Sequence, residues 1–156
     1  MENKLRIQRA EEDFYRINIA DDGTEIVFDL ADISLPMKCD KAFNDVEANK
    51  NNTLARIKAI ENKYKNQTPN TKLESQQQRE VFEAYNEMFK KNREIMDKFF
   101  GLEGAMQKIF GDANYVDMYN DLYEQLEPHF KKMELNVGKI KERIEKKYGK
   151  QDNVIR

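Results

Sequence analysis

The stretch FFGLEGAMQKIFGDANYVDMYNDLYEQLEPHF, Phe99 to Phe130, decides the fold. Phe100-Gly101 and Phe110-Gly111 read as two successive helix stops, because glycine takes the left-handed conformation that closes a helix at little cost. Between them Leu102, Met106, Ile109 and Phe110 supply the apolar side chains of one short, buried helix. The stretch is therefore a hub on which longer helices pack. After Gly111, Asn114 is placed to cap a helix carrying Tyr115, Met118, Tyr119, Leu122 and Leu126. Pro128 either kinks that helix or starts a new one, since a proline inside a helix removes a hydrogen bond and crowds the preceding turn.

Working outward toward the C-terminus, Phe130, Met133, Val137, Ile140 and Ile144 recur at alternating three- and four-residue steps on a narrow seam, which suits a contact between two helices. The final residues, GKQDNVIR, are expected to fray. Toward the N-terminus, residues 73–100 carry Val81, Phe82, Tyr85, Met88, Phe89, Ile95, Met96 and Phe99 on one broad stripe, the pattern of an amphipathic helix. Residues 66–72 are polar, contain Pro69 and read as a linker. Before them, 36–65 form a first long helix: Pro36 suits its first turn with Ser34 as a cap, and Phe43, Val46, Leu54, Ile57, Ile60 and Tyr64 mark its apolar face. A polar dip from Asn49 to Asn52 weakens that face without breaking the helix.

Residues 1–32 are the β region. Tyr15, Ile17 and Ile19 alternate, as do Ile26, Phe28 and Leu30, and Asp22-Gly23 between them is a strong hairpin signal. A lone hairpin is marginal in water, so one face must be covered. The expectation is a mainly α chain of α+β type. One domain spans 1–156, with an N-terminal β-hairpin followed by a bundle of four or five amphipathic helices and the Phe-Gly hub within 73–150.

The chain has 156 residues, 36% of them charged and 39% hydrophobic, a composition of helices with well solvated outer faces. Its formal net charge of -2 favours neither nucleic acid nor an anionic membrane. One cysteine excludes an internal disulfide, and no run approaches the roughly 18 apolar residues of a membrane helix, so a cytoplasmic location is expected.

Candidate chemistry is sparse. His129 is the only histidine, and its neighbours Pro128, Phe130 and Lys131 supply no catalytic or metal-binding partner, so a surface or capping role is expected. Cys39 lies near a helix start, where a thiol can become acidic. Without an arranged base it reads as a small half-buried residue. Asp112, Asn114, Asp117, Asp121 and Glu124 fail as a calcium loop, because the sixth position from Asp112 is Asp117 rather than glycine and the twelfth is Tyr123 rather than glutamate. Gly101, Gly104 and Gly111 lack the GK[ST] of a phosphate loop. The Lys-rich end, Lys131 to Lys150, is interleaved with Glu134, Glu142 and Glu145 and reads as a solvated face. No catalytic residue, cofactor or metal is expected. Aromatic side chains in excess of the core would form an apolar surface for a protein partner.

The order of these features resembles the small tail assembly chaperones of long-tailed phages and prophages of Gram-positive bacteria. The resemblance is carried by Leu35-Pro36 after the strand pair, by Phe110-Gly111, and by Met118, Tyr119, Leu122, Tyr123, Leu126 and Pro128. It implies a non-enzymatic chaperone that binds the helical tape-measure protein and recruits tail-tube subunits, with Phe82, Tyr85, Phe89, Phe99, Phe100 and Tyr119 as the partner-binding residues. Two other readings compete with it: a structural subunit of the phage tail, and a small nucleic-acid-binding regulator using the basic C-terminal helix. The hairpin edge leaves self-association open, and no membrane contact is expected.

Overall fold

The computed structural model describes residues 3–67 and 71–134. It is mainly helical with an N-terminal two-stranded antiparallel hairpin, the expected fold class. The elements are a 3-10 turn at Glu11–Asp13, strands β1 (Phe14–Asn18) and β2 (Glu25–Asp29), and helices α1 (Leu35–Tyr64), α2 (Thr71–Phe100) and α3 (Ala105–Phe110). A further helix, α4, runs over 118–134 of the described residues. Pro69 of the linker reading, and Val137, Ile140 and Ile144 of the C-terminal seam, lie outside the described residues, as does the segment 149–156 expected to fray.

The chain divides into two compact units, one of Met1–Leu35 with Ala113–Arg156, the other of Pro36–Asp112. In the first, the strands pair with Tyr15 opposite Phe28 and Ile17 opposite Ile26. Side chains opposite one another share a face, so Tyr15, Ile17, Ile26 and Phe28 lie together. Ile26, Phe28 and Leu30 are buried, as are Met118, Leu122, Leu126 and Met133 of α4. The turn closes through Ile19 N–H to Thr24 O at 2.9 Å and Gly23 N–H to Ala20 O at 3.1 Å. Asp22 accepts from both the Thr24 amide and its hydroxyl. Helix α4 begins at 118 and not directly after Asn114, and it continues through Pro128.

The second unit is a helical hairpin. Phe43 meets Phe99, Asn49 bonds Asn92, Arg56 pairs with Glu87 and Lys63 with Glu80. As the α1 number rises its α2 partner falls in step, so the helices are antiparallel in one register. The seam is Ala42, Val46, Thr53 and Ile57 against Ala84, Met88, Asn92, Met96 and Phe100, all buried. This corrects the sequence-derived stripe, in which Leu54 and Phe82 were core. Leu54 is 46% exposed and Phe82 65%. The rows that face each other in this register bury small residues such as Ala42 and Ala84 and leave the bulkier Leu54 and Phe82 turned outward. Ser34 stands just before α1, where its hydroxyl donates to Asp32 at 2.6 Å.

Both Phe-Gly stops are present. Gly101 has φ +69 and Gly111 φ +68. At the first, Leu102 N–H bonds Asp97 O and Gly101 N–H bonds Lys98 O, both at 3.1 Å, the paired bonds of a glycine-terminated helix. Asp97 then reaches forward. Its carboxylate accepts from Gly104 N–H at 3.0 Å and Met106 N–H at 2.8 Å, covering amides that the start of α3 leaves open. Asp97→Ala is expected to cost about 1–3 kcal/mol through these unsatisfied part-buried amides, read as a lower urea midpoint with little change in slope.

Candidate functional site

Two side chains able to take part in covalent or proton-transfer chemistry stand out, one in each unit. Cys39 is a half-buried free thiol on the second turn of α1. Burial first, and the charge of Asp40 second, push its pKa up to about 11. The thiol is therefore the dominant form near neutrality, opposite to the acidification that a helix start by itself would give. The half-buried setting matches the bland sequence reading.

His129 sits on α4 in the first unit, half-buried. Its Nδ1 lies 2.7 Å from the Tyr15 hydroxyl, and the two rings meet edge to face with centroids 5.6 Å apart. The residue expected at the surface or in a cap is instead tied to β1 across 114 residues of sequence. Met118, Leu122, Leu126, His129 and Met133 recur at helical spacing, so the imidazole occupies a row otherwise filled by buried apolar side chains. A hydrogen bond at one ring nitrogen fixes the ring's orientation, and Nε2 has no hydrogen-bond partner among the described residues. Nearby on the sequence, the Tyr115 hydroxyl donates to Asp121 at 2.8 Å, and that bond raises the Tyr115 pKa.

The N-terminal end of the same unit is held by charge. Arg9 donates to both oxygens of Asp29, at 2.6 and 2.5 Å, and lies over the Phe14 ring. The bidentate bond draws the Asp29 carboxyl below its ordinary pKa. A lowered carboxyl pKa contributes stability that is present above the unfolded value of about 3.9 and is lost as pH falls through the lower, folded value. Arg9→Gln is accordingly expected to be less stable than the wild type near neutrality and equal to it once Asp29 is protonated in both. Circular dichroism followed during acid titration reads this convergence.

The six aromatic residues expected to bind a partner differ in exposure. Phe82 is exposed, Tyr85, Phe99 and Tyr119 are half-buried, and Phe89 and Phe100 are buried at 6% and 3% exposure. Phe99 packs between Phe43 and Phe100. Tyr119 belongs to the first unit and the others to the second. What remains open around Phe82 is a shallow groove of about 390 Å³ lined by Glu74, Gln77, Gln78, Val81, Phe82 and Tyr85. The seam polar pair Asn49–Asn92, bonded at 2.9 Å, was not anticipated from sequence. Among the described residues no group of three or more His, Cys, Asp and Glu side chains is placed to hold a metal ion. No described helix is long and apolar enough to cross a membrane.

Comparison with known proteins gives a different identity from the phage resemblance. The family model described as YabG peptidase U57 matches residues 9–155, and the chain belongs to that family. No curated protein and no solved structure matches it. The match overturns the tail assembly chaperone reading, its tape-measure and tail-tube partners, the non-enzymatic assignment, and the tail-subunit and nucleic-acid alternatives. The reason lies in the features that suggested them. Leu35-Pro36, Phe110-Gly111 and the Met118–Leu126 row are helix starts, stops and core spacing, which report a helical build and carry no chemistry of their own.

Proposed function

We propose that the chain hydrolyses peptide bonds in protein substrates, the activity its family is named for. The observation that carries this reading is the family match across residues 9–155. Two features of the chain support it. His129 offers an imidazole with one nitrogen fixed by Tyr15, an orientation that suits a proton-transferring group. The groove around Phe82 offers an exposed apolar surface with side-chain amides, which suits a polypeptide. We assign its work to the cytoplasm, where a lone thiol such as Cys39 stays reduced.

The test is hydrolysis of dye-labelled casein by the purified full chain, with and without a thiol-alkylating reagent, and with the Cys39→Ala and His129→Gln variants. Cleavage of casein is expected. His129→Gln is expected to lower kcat by about 10²-fold or more if the imidazole moves the proton. Cys39→Ala and alkylation are expected to leave the rate within about twofold, because a thiol held well above neutral pKa is a poor nucleophile. Absence of casein cleavage over a range of pH and divalent cation conditions would discard the peptidase reading.

A further inference from the structure

We propose that the groove on α2 around Phe82 is a substrate-docking site that takes an extended polypeptide segment with one apolar anchor residue flanked by Lys or Arg; this rests on the peptidase reading. Phe82 is 65% exposed on a helix whose opposite positions are already packed, so its ring has no role in the seam of the unit. Val81 and Tyr85 are half-buried beside it and give the groove an apolar floor. An apolar anchor would remove this exposed surface from water.

The polar lining selects the occupant. Gln77 and Gln78 each carry a donor and an acceptor, the same pair that a peptide backbone presents, so an extended chain can be bonded along the groove. Among the described residues Glu74 is the one charged residue in the lining. Phosphate is therefore disfavoured, and a Lys or Arg next to the anchor is favoured. At this end of the helical hairpin Lys63 is already engaged by Glu80. Glu74 thus gives the lining a negative character toward an incoming chain.

The experiment uses the full chain and two short dye-labelled peptides with the same central Phe, one flanked by Lys and one by Glu, read by fluorescence anisotropy. The Lys-flanked peptide is expected to bind more tightly than the Glu-flanked one. Phe82→Asp is expected to weaken it by about tenfold or more, and Glu74→Lys to reverse the preference. Because Phe82 is exposed, its replacement leaves the fold intact, which circular dichroism verifies. In the casein assay the Phe82→Asp loss is expected to fall on KM rather than kcat.

The outcomes separate the two readings. Peptide binding that depends on Phe82, without casein cleavage by the wild type, removes the peptidase reading and leaves the groove. Casein cleavage with an unchanged KM in Phe82→Asp, or equal affinity for the two peptides, overturns the groove and leaves the peptidase. A wild-type dimer that Phe82→Asp dissolves, with neither peptide bound, gives the surface to a second copy and also overturns the proposal.

Discussion

Phe100→Ala is expected to destabilise the α1–α2 unit by about 3–5 kcal/mol. Phe100 is the last residue of α2 and is 3% exposed. It packs against Phe99, with ring centroids 5.5 Å apart, and Phe99 in turn meets Phe43 of α1 at 6.4 Å. Removing the ring deletes buried apolar area and leaves a cavity that its neighbours cannot fill. The backbone there is fixed by the bonds that Gly101 and Leu102 make back to α2, and by Asp97 holding the start of α3. Phe82→Ala supplies the contrast. The residue type is the same and the helix is the same, yet at 65% exposure the change is expected to stay within about 0.5 kcal/mol. Hydrogen exchange of α2 amides is the suitable measurement, because two compact units need not unfold in one transition. A Phe100→Ala loss no greater than that of Phe82→Ala would refute the burial argument.

That contrast marks where the sequence stops being legible. Features set by neighbours along the chain were readable: the Asp22-Gly23 turn, the alternation of β1 and β2, the long helix α1, and both Phe-Gly stops. Each depends on backbone conformations that only a few residue types allow. The choice of seam was not readable, because it depends on which rows of two helices meet. Apolar size points to Leu54 and Phe82, whereas the rows that the antiparallel register buries include Ala42, Thr53, Ala84 and Asn92. The Tyr15–His129 bond failed to show for a related reason. The alternation of β1 puts Tyr15 on the inner face, but nothing local to His129 reveals that this face lies over it. The peptidase family was hidden more deeply, since punctuation and spacing describe the helical frame and not the chemistry performed on it.

Asn92→Asp is expected to cost about 3–5 kcal/mol near neutral pH, because it buries a charge at a position that is 1% exposed. Its Oδ1 accepts from Asn49 Nδ2 at 2.9 Å, while the Nδ2 of Asn92 itself has no partner among the described residues. One donor does not compensate a desolvated carboxylate. Burial raises the carboxyl pKa, so the penalty applies above the folded pKa and is relieved as pH falls through it and the group becomes neutral. The variant is thus expected to gain stability relative to the wild type on mild acidification, the reverse of the Arg9–Asp29 clamp. Replacing both members, Asn49→Leu with Asn92→Leu, is expected to be neutral or stabilising, since no polar group is then left without a partner. Asn49→Leu alone is expected to cost about 1–3 kcal/mol, because it orphans the Asn92 amide entirely. A double variant less stable than the wild type would mean that the amide pair contributes more than its desolvation costs. The opposite order would leave register as its role, since a single buried polar pair is satisfied only when 49 stands opposite 92.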